Sequence, residues 1–418
     1  MVATAMTDIL LQPLNIFVLA LGTGFLIPLF DRAHRGSAIT VFLLALSAMV
    51  IIAGFNLLAI INGAPAIDIE TAGIKPPFSI NLRFGLPEGF FVLAVNIAAL
   101  LGAWHYLPKL KQHASALLLY LIRVMGINGM VMTRDLFNLF IFIEITSIAT
   151  YALIGMERTA SSLTAGFKYI IATSIASAFF LLGTIFIYYQ TGTLNIDDII
   201  ANQELISGPI GFIATLFVLT SLLIELKPYP ANGWGLDVYE TAESGIASLI
   251  SVGVSAGVFF AVYKLLPLAT DLLLSIALVG GLTFLLSNII GLKQENAKRL
   301  LGYSSIGQMG LLTMSVALLA QLEAHADVQL QMYIIVGGLF INHLFAKAGL
   351  FWLAGIVDKT GIRDWSAIAG RRGLLLLFGI LITALVGLPP FPGFWAKWEL
   401  VMLLASNEMF GWIALVLV

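Results

Sequence analysis

The sequence predicts an all-α, polytopic membrane protein of 13–14 transmembrane helices, with two inverted five-helix repeats and breaks in the seventh and twelfth helices. Three observations carry that expectation. Of 418 residues, 60% are hydrophobic and 11% charged, with a mean hydropathy of +1.00; a soluble domain carries about 25% charged residues. Apolar runs matched to a ~30 Å hydrocarbon slab recur along the whole chain. Two of those runs are interrupted by proline clusters, each with a lysine beside it.

The spans fall at 9–30, 38–62, 85–106, 115–133, 135–155, 164–189, 209–240, 244–265, 271–292, 303–321, 329–357, 373–404 and 409–418. No basic leader with a small-residue cleavage site precedes the first, so it reads as a spanning helix. The last is too short to cross a bilayer, so it reads as a half-span or as part of a longer one.

Connections after odd-numbered spans hold twelve basic residues, among them Arg32, Arg35, Lys109, Lys298, Arg299 and Arg372. Those after even-numbered spans hold Lys75, Arg83, Arg134 and Lys264. Twelve against four puts the odd loops in the cytoplasm and the N-terminus outside. Arg123, Lys168, Lys227, Lys347 and Lys397 remain, within or at the ends of spans.

In the fifth span, Glu144 lies about 14 Å below Asp135, near the middle of the slab. An ionised carboxylate there costs several kcal/mol without a partner, so it marks a functional site by default. The plainer reading is a neutral glutamic acid hydrogen-bonded inside the bundle. Arg123 lies about 12 Å, and Glu144 about 16 Å, from the cytoplasmic side, which predicts an ion pair between them. Lys168, close to the start of its span, fits either a charge partner or a side chain snorkelling to the interface. Glu88 reads as interfacial, and Glu399 either as a counter-ion to Lys397 or as an outer-surface residue.

The seventh span holds Glu225-Leu-Lys227-Pro228-Tyr-Pro230, and the twelfth holds Pro389-Pro390-Phe-Pro392 ahead of Lys397. Proline removes a backbone donor and clashes with the preceding turn, so each helix must break there. Broken backbone at membrane depth survives only inside protein or along a wet cavity. With Lys168 and Lys347 one span earlier in each case, spans 4–8 and 9–13 form two like units. Five is odd, so the second is inverted, the arrangement of secondary transporters with midplane sites. The chain then divides into helices 1–3 (1–114), a first repeat (115–265) and a second (266–418).

The chain has no cysteine, and His34, His105, His113, His325 and His343 lack ligand spacing, so no metal site or cofactor is expected. A net charge of −2 and the lack of a basic run argue against nucleic acid. No segment resembles a soluble catalytic domain, so any redox chemistry belongs to partner subunits and the chain is not catalytic by itself. The loop at 63–83 alternates weakly, as a short hairpin does. Residues 192–206 form an acidic outer loop or interfacial helix.

Asp135-Leu-Phe-Asn-Leu-Phe with Glu144 resembles the fifth helix of the antiporter-like subunits of respiratory complex I, and above all of Mrp-type cation/proton antiporters and membrane-bound hydrogenases. Lys168-Tyr169 is similar to the family's sixth helix, and the segment from Asn296-Ala-Lys-Arg to Gln308-Met-Gly310 resembles its N-x-KRLLAYSSI-x-x-MG segment. Asn342-His343 with Lys347 is similar to the eleventh, and Gly387 to Lys397 to the twelfth. The resemblance covers roughly 115–400 in order. It implies the inverted repeat, and ion movement along buried charges. Glu144 and Lys397 fit the two ends of that path, with His343 and Lys347 in the middle.

Two positions depart from the family pattern. The usual helix-7 lysine falls on Glu225, with Lys227 two residues later, and the usual helix-8 lysine falls at Ser255. Asn232 replaces the customary histidine, while Asp237-Val-Tyr-Glu240 survives. Ended by Pro228 and Pro230, the helix can turn Glu225 and Lys227 toward one cavity, where they act as a unit.

The resemblance implies an ion-translocating (proton or sodium/proton) subunit in a cell membrane. Its partners would be further membrane subunits, some of them antiporter-like, with hydrophilic redox subunits in redox-driven complexes. The rival reading is a bridging subunit of the same fold with an inactive first half-channel. A standalone transporter of an organic substrate fits less well, since the sequence has no distinct polar substrate pocket.

Overall fold

The computed structural model describes residues 10–323, 328–407, 411 and 413. Among them are ten helices long and apolar enough to cross a membrane. In chain order the helices are α1 (Asn15–Ala33), α2 (Arg35–Ile61), α3 (Leu86–Leu110), α4 (Ala114–Met132), α5 (Leu136–Gly155) and α6 (Ala160–Thr191). Then follow α7 (Pro209–Glu225), α8 (Gly233–Thr241), α9 (Ser244–Leu268), α10 (Leu273–Gly291) and α11 (Ala297–Glu323). The last are α12 (Gln329–Val357), α13 (Arg372–Val386) and α14 (Pro392–Ala405). The protein is a multi-pass, nearly all-helical membrane protein. The expected span at 409–418 falls almost wholly outside the described residues.

The elements begin and end where the local chemistry requires. Thr159 and Ser162 cap α6 reciprocally, so that helix starts at Ala160, four residues before the apolar run. Gly192 ends it in the left-handed region at φ 70°. Pro209 opens α7, where a missing N–H costs nothing. The 63–83 loop carries an antiparallel hairpin of β1 (Ile67–Glu70) and β2 (Asn81–Phe84), with Ile67 opposite Phe84. Residues 192–206 hold a short helix, Ile196–Ala201.

Packing divides the chain into two compact units, Met1–Leu226 with Thr241–Leu268, and Lys227–Glu240 with Ala269–Val418. In the first, α9 is buried throughout its most apolar 18-residue stretch and α4 through most of its own, while α1 and α6 keep broad apolar faces outward. A helix apolar all round belongs in a core or in lipid, and these helices divide between the two. Small residues bring backbones together where no hydrophobic effect drives helix association. Gly126 and Gly129 of α4 receive Phe142 and Thr146 of α5, and a Cβ on Gly183 of α6 would lie 2.5 Å from the Ala214 carbonyl of α7. Asn96 of α3 and Asn128 of α4 exchange amide hydrogen bonds of 2.8 and 3.2 Å within this core.

In the second unit α11 is the most buried helix. It meets α10 at Gly310, where a Cβ would lie 2.7 Å from the Gly280 carbonyl. A Cβ on Gly338 of α12 would lie 2.9 Å from the Ala396 Cβ of α14.

Each unit contains the same backbone strap. In the first, Leu136 N–H donates to Leu194 O (2.9 Å) and Ile196 N–H to Arg134 O (2.8 Å), pairing the start of α5 with the chain after α6. In the second, Ala297 N–H donates to Thr360 O (2.8 Å) and Ile362 N–H to Glu295 O (2.9 Å), pairing the start of α11 with the chain after α12. Asp135 and Asn296 occupy the same place in the two straps. Each caps its helix, accepting from Asn138 N–H (2.7 Å) and Arg299 N–H (3.1 Å) respectively.

Candidate functional site: buried charges inside two helical units

In the first unit, Glu144 on α5 accepts a hydrogen bond from the Ser177 hydroxyl of α6 and is only half-buried within this chain. The expected Arg123–Glu144 ion pair does not form. Thr146 meets α4 at Gly126, and residues two apart on a helix point to opposite sides, so Glu144 turns from α4 toward α6. Arg123 is 0% exposed, and its Nε, Nη1 and Nη2 have no hydrogen-bond partner. Its guanidinium sits 5.2 Å from the centre of the Tyr120 ring.

Lys168 is exposed on α6. The capped start at Ala160 puts it about 12 Å into the helix, deeper than the apolar run implied. Glu88 stands in the first turn of α3, covered by its neighbours, and its carboxylate accepts from the Gly85 N–H to close that turn. Lys264, counted with the outer loops in the sequence, lies buried in α9. Its ammonium donates to the carbonyls of Met130 (2.7 Å), Val131 (3.2 Å) and Thr133 (2.7 Å), which satisfies the orphan acceptors at the end of α4. A lysine whose three donors are all committed is a helix clamp.

The chain leaves the helix after Glu225 and re-enters at Gly233. Glu225 is buried in the first unit, within electrostatic reach of Tyr169 on α6. Lys227 is buried in the second, with a left-handed φ of 61°. Its ammonium lies 5.3 Å from the Trp234 ring and 5.9 Å from the Tyr239 ring, and its stem folds over Gly235. Asn232 is buried at the same break. Where the helix-8 lysine was expected, α9 makes a π-helical turn at Ile250–Val254, and Ser255 Oγ donates to Ile250 O (3.1 Å).

The surviving Asp237 and Glu240 have a defined use. Arg299, in the first turn of α11, bonds Asp237 Oδ1 at 2.8 Å and Glu240 Oε2 at 2.7 Å, while Asn296 Nδ2 reaches Glu240 Oε1 at 3.3 Å. Tyr239 packs on Gly302 and stacks with Phe351 of α12. These contacts fix α8 against α11 and α12, and so hold Lys227 inside the second unit.

At the second break, Gly387 ends α13 with φ 84° and Pro392 opens α14. Pro389 and Pro390 occupy the gap. Lys397 folds its stem over Gly387 and donates to the Val386 carbonyl (3.1 Å), at the negative end of the α13 dipole. Glu399 makes no ion pair with it, since residues two apart on α14 face different ways. On α12, Asn342 donates to Ala384 O (2.8 Å) and packs on Gly393. His343 is 1% exposed. Lys347 is 0% exposed, its ammonium has no hydrogen-bond partner, and it lies within reach of the Lys397 charge.

A match to the NADH:quinone oxidoreductase/Mrp antiporter transmembrane family covers residues 133–418. The chain belongs to that family. NADH-quinone oxidoreductase subunit N of Desulforudis audaxviator is 30% identical over 98% of this chain and 82% of its own. A Na(+)/H(+) antiporter subunit of Alkalihalophilus pseudofirmus is 28% identical over 92% of this chain and 81% of its own. Among solved structures, the membrane-bound sulfane sulfur reductase, an archaeal respiratory membrane complex, has a chain that superposes with a TM-score of 0.86 at 26% identity, covering 97% of this chain and 84% of that one. The Mrp complex from Dietzia sp. gives 0.83 at 22% identity, covering 97% and 76%.

Within this antiporter-like family, the matched region holds the fifth helix, both breaks and every interior lysine named above. Sequence reasoning missed the clamp role of Lys264 and the Asn96–Asn128 pair. The signal for the pair was present, two amides inside otherwise apolar spans.

Proposed function

We propose that this chain is an ion-translocating, antiporter-like membrane subunit of a larger complex, moving protons or exchanging sodium for protons. Lys347 carries the reading. A fully buried ammonium without an acceptor, in a membrane helix beside a broken one, is costly unless it serves an ion path. Lys397, anchored on the end of α13 by one donor only, keeps its other N–H groups for exchange. Glu144 at the α5–α6 contact, Glu225 and Lys227 at the first break, and His343 with Lys347 and Lys397 at the second are the residues of that path. The matching straps support two like units.

Relatives that work in respiratory, Mrp and sulfane sulfur reductase complexes support further membrane subunits as partners, with hydrophilic redox subunits in the redox-driven case, and a cell-membrane location. One observation favours the rival reading of a bridging first half. Ser255 and the committed Lys264 leave α9 with no lysine free to exchange protons. Purification of the intact complex from native membranes, followed by reconstitution, tests the proposal. The expected result is co-purifying membrane subunits and formation of a proton or sodium gradient. Recovery of the chain alone, with no gradient under any driving reaction its partners support, rules the proposal out.

A further inference from the structure

Pro228 and Pro230 carry no N–H, so between Lys227 and Ala231 the first break has one backbone donor, that of Tyr229. At membrane depth such a donor must be satisfied inside the protein. Its acceptor is a side chain on another helix: Tyr229 N–H donates to Thr283 Oγ1 of α10 at 3.1 Å. Thr283 is buried about 15 Å into α10. Its hydroxyl hydrogen goes to Val279 O at 2.7 Å, one turn back, which leaves the oxygen lone pair for Tyr229. Gly310 of α11 closes on the same residue, since a Cβ there would lie 3.0 Å from the Thr283 Cβ. The threonine is held by α10 and α11 before it meets the break.

Lys227 stands two residues before Tyr229, in a left-handed conformation that a lysine keeps only where its surroundings over-determine it. On one side, its ammonium faces the Trp234 ring at 5.3 Å, and its stem leaves no room for a Cβ on Gly235. On the other side, the chain is pinned at Tyr229. Residues Lys227–Glu240 and α10 belong to the same compact unit. The second break has a comparable tie, in which Asn342 of α12 donates to Ala384 O near the end of α13 (2.8 Å). We propose that Thr283 is the positioning residue of the first break, and that it holds the Lys227 ammonium over the Trp234 ring by anchoring the Tyr229 N–H. Thr283 exchanges no ion itself. It fixes the backbone just after Lys227, so α10 sets where this charge stands. The proposal rests on the ion-conducting reading above, and its test is separable from that reading.

The test is tryptophan fluorescence of the intact complex, with ion flux measured alongside. The emission of Trp234 is read as the difference between complexes with and without Trp234→Phe. Lys227→Met is expected to change it by removing the cation from the ring. Thr283→Val, which keeps the branched shape and removes the acceptor, is expected to change it in the same direction, while Thr283→Ser keeps the wild-type emission. Thr283→Cys, whose sulfur is a weak acceptor, decides the matter if Thr283→Val fails to assemble. Wild-type Trp234 emission in the assembled Thr283→Val or Thr283→Cys complex overturns the proposal. So does emission that Lys227→Met leaves unchanged, which would show no ammonium at the ring. Ion flux is expected to be mostly lost in Thr283→Val and retained in Thr283→Ser. Changed emission with wild-type flux upholds the anchor and contradicts an ion path through Lys227.

Discussion

Ser177 on α6 donates its hydroxyl hydrogen to the Glu144 carboxylate on α5, linking two adjacent helices of the first unit at the one acidic side chain in the middle of α5. A hydrogen bond to a charged group is worth about 1.5–3 kcal/mol. Ser177→Ala is therefore expected to leave the subunit assembled and to slow ion uptake by roughly tenfold, since 1.4 kcal/mol is a factor of ten. Ser177→Thr keeps the donor and is expected to stay near wild type. Vesicle uptake measured at matched subunit amounts checks both.

Lys264 and the end of α4 make a different kind of prediction. The ammonium satisfies three carbonyls, and removing it leaves buried acceptors at about 1–3 kcal/mol. Lys264→Met is expected to lower the thermal unfolding temperature of the solubilised protein. Flux per assembled subunit is expected to hold, because this lysine clamps a helix end and exchanges no proton. Unchanged unfolding with abolished flux would place Lys264 in the ion path instead.

Arg299 bridges Asp237 and Glu240 while partly open to solvent, so each contact is worth less than a fully buried pair. A double-mutant cycle of Arg299→Ala with Glu240→Ala is expected to show coupling of about 0.5–3 kcal/mol in unfolding. The same cycle for Arg123→Leu with Glu144→Gln is expected to be additive within about 0.5 kcal/mol, because those two residues face different helices. Coupling in the second cycle would contradict the arrangement around Gly126 and Ser177.

The Arg123–Glu144 case shows where sequence reasoning stops. Rise per residue put both at similar depth, and depth is one coordinate of two. The azimuth depends on which face each helix offers its neighbour, and that was set by Gly126 receiving Thr146. Spans, breaks and the hairpin were legible because hydropathy and proline act locally. Lys264 was misplaced because its partners are carbonyls more than 130 residues away in the chain, which no local pattern records. Lys168 was placed too shallow because the Thr159 cap, rather than the apolar run, starts α6. The Asp237-to-Glu240 motif was visible as a resemblance, yet its purpose needed Arg299 beside it.

Lys397 offers the most direct measurement of the account's central claim, that ions move along these interior charges. Its ammonium rests on Val386 O at the second break, within reach of Lys347, and it can be removed without disturbing a multiple hydrogen-bond clamp. Ion-gradient formation by vesicles containing the complex with Lys397→Ala should be compared with wild type at equal subunit content. The account predicts near-complete loss of the gradient with normal insertion and assembly, and partial retention in Lys397→Arg. A Lys397→Ala complex that builds the gradient at the wild-type rate would contradict it.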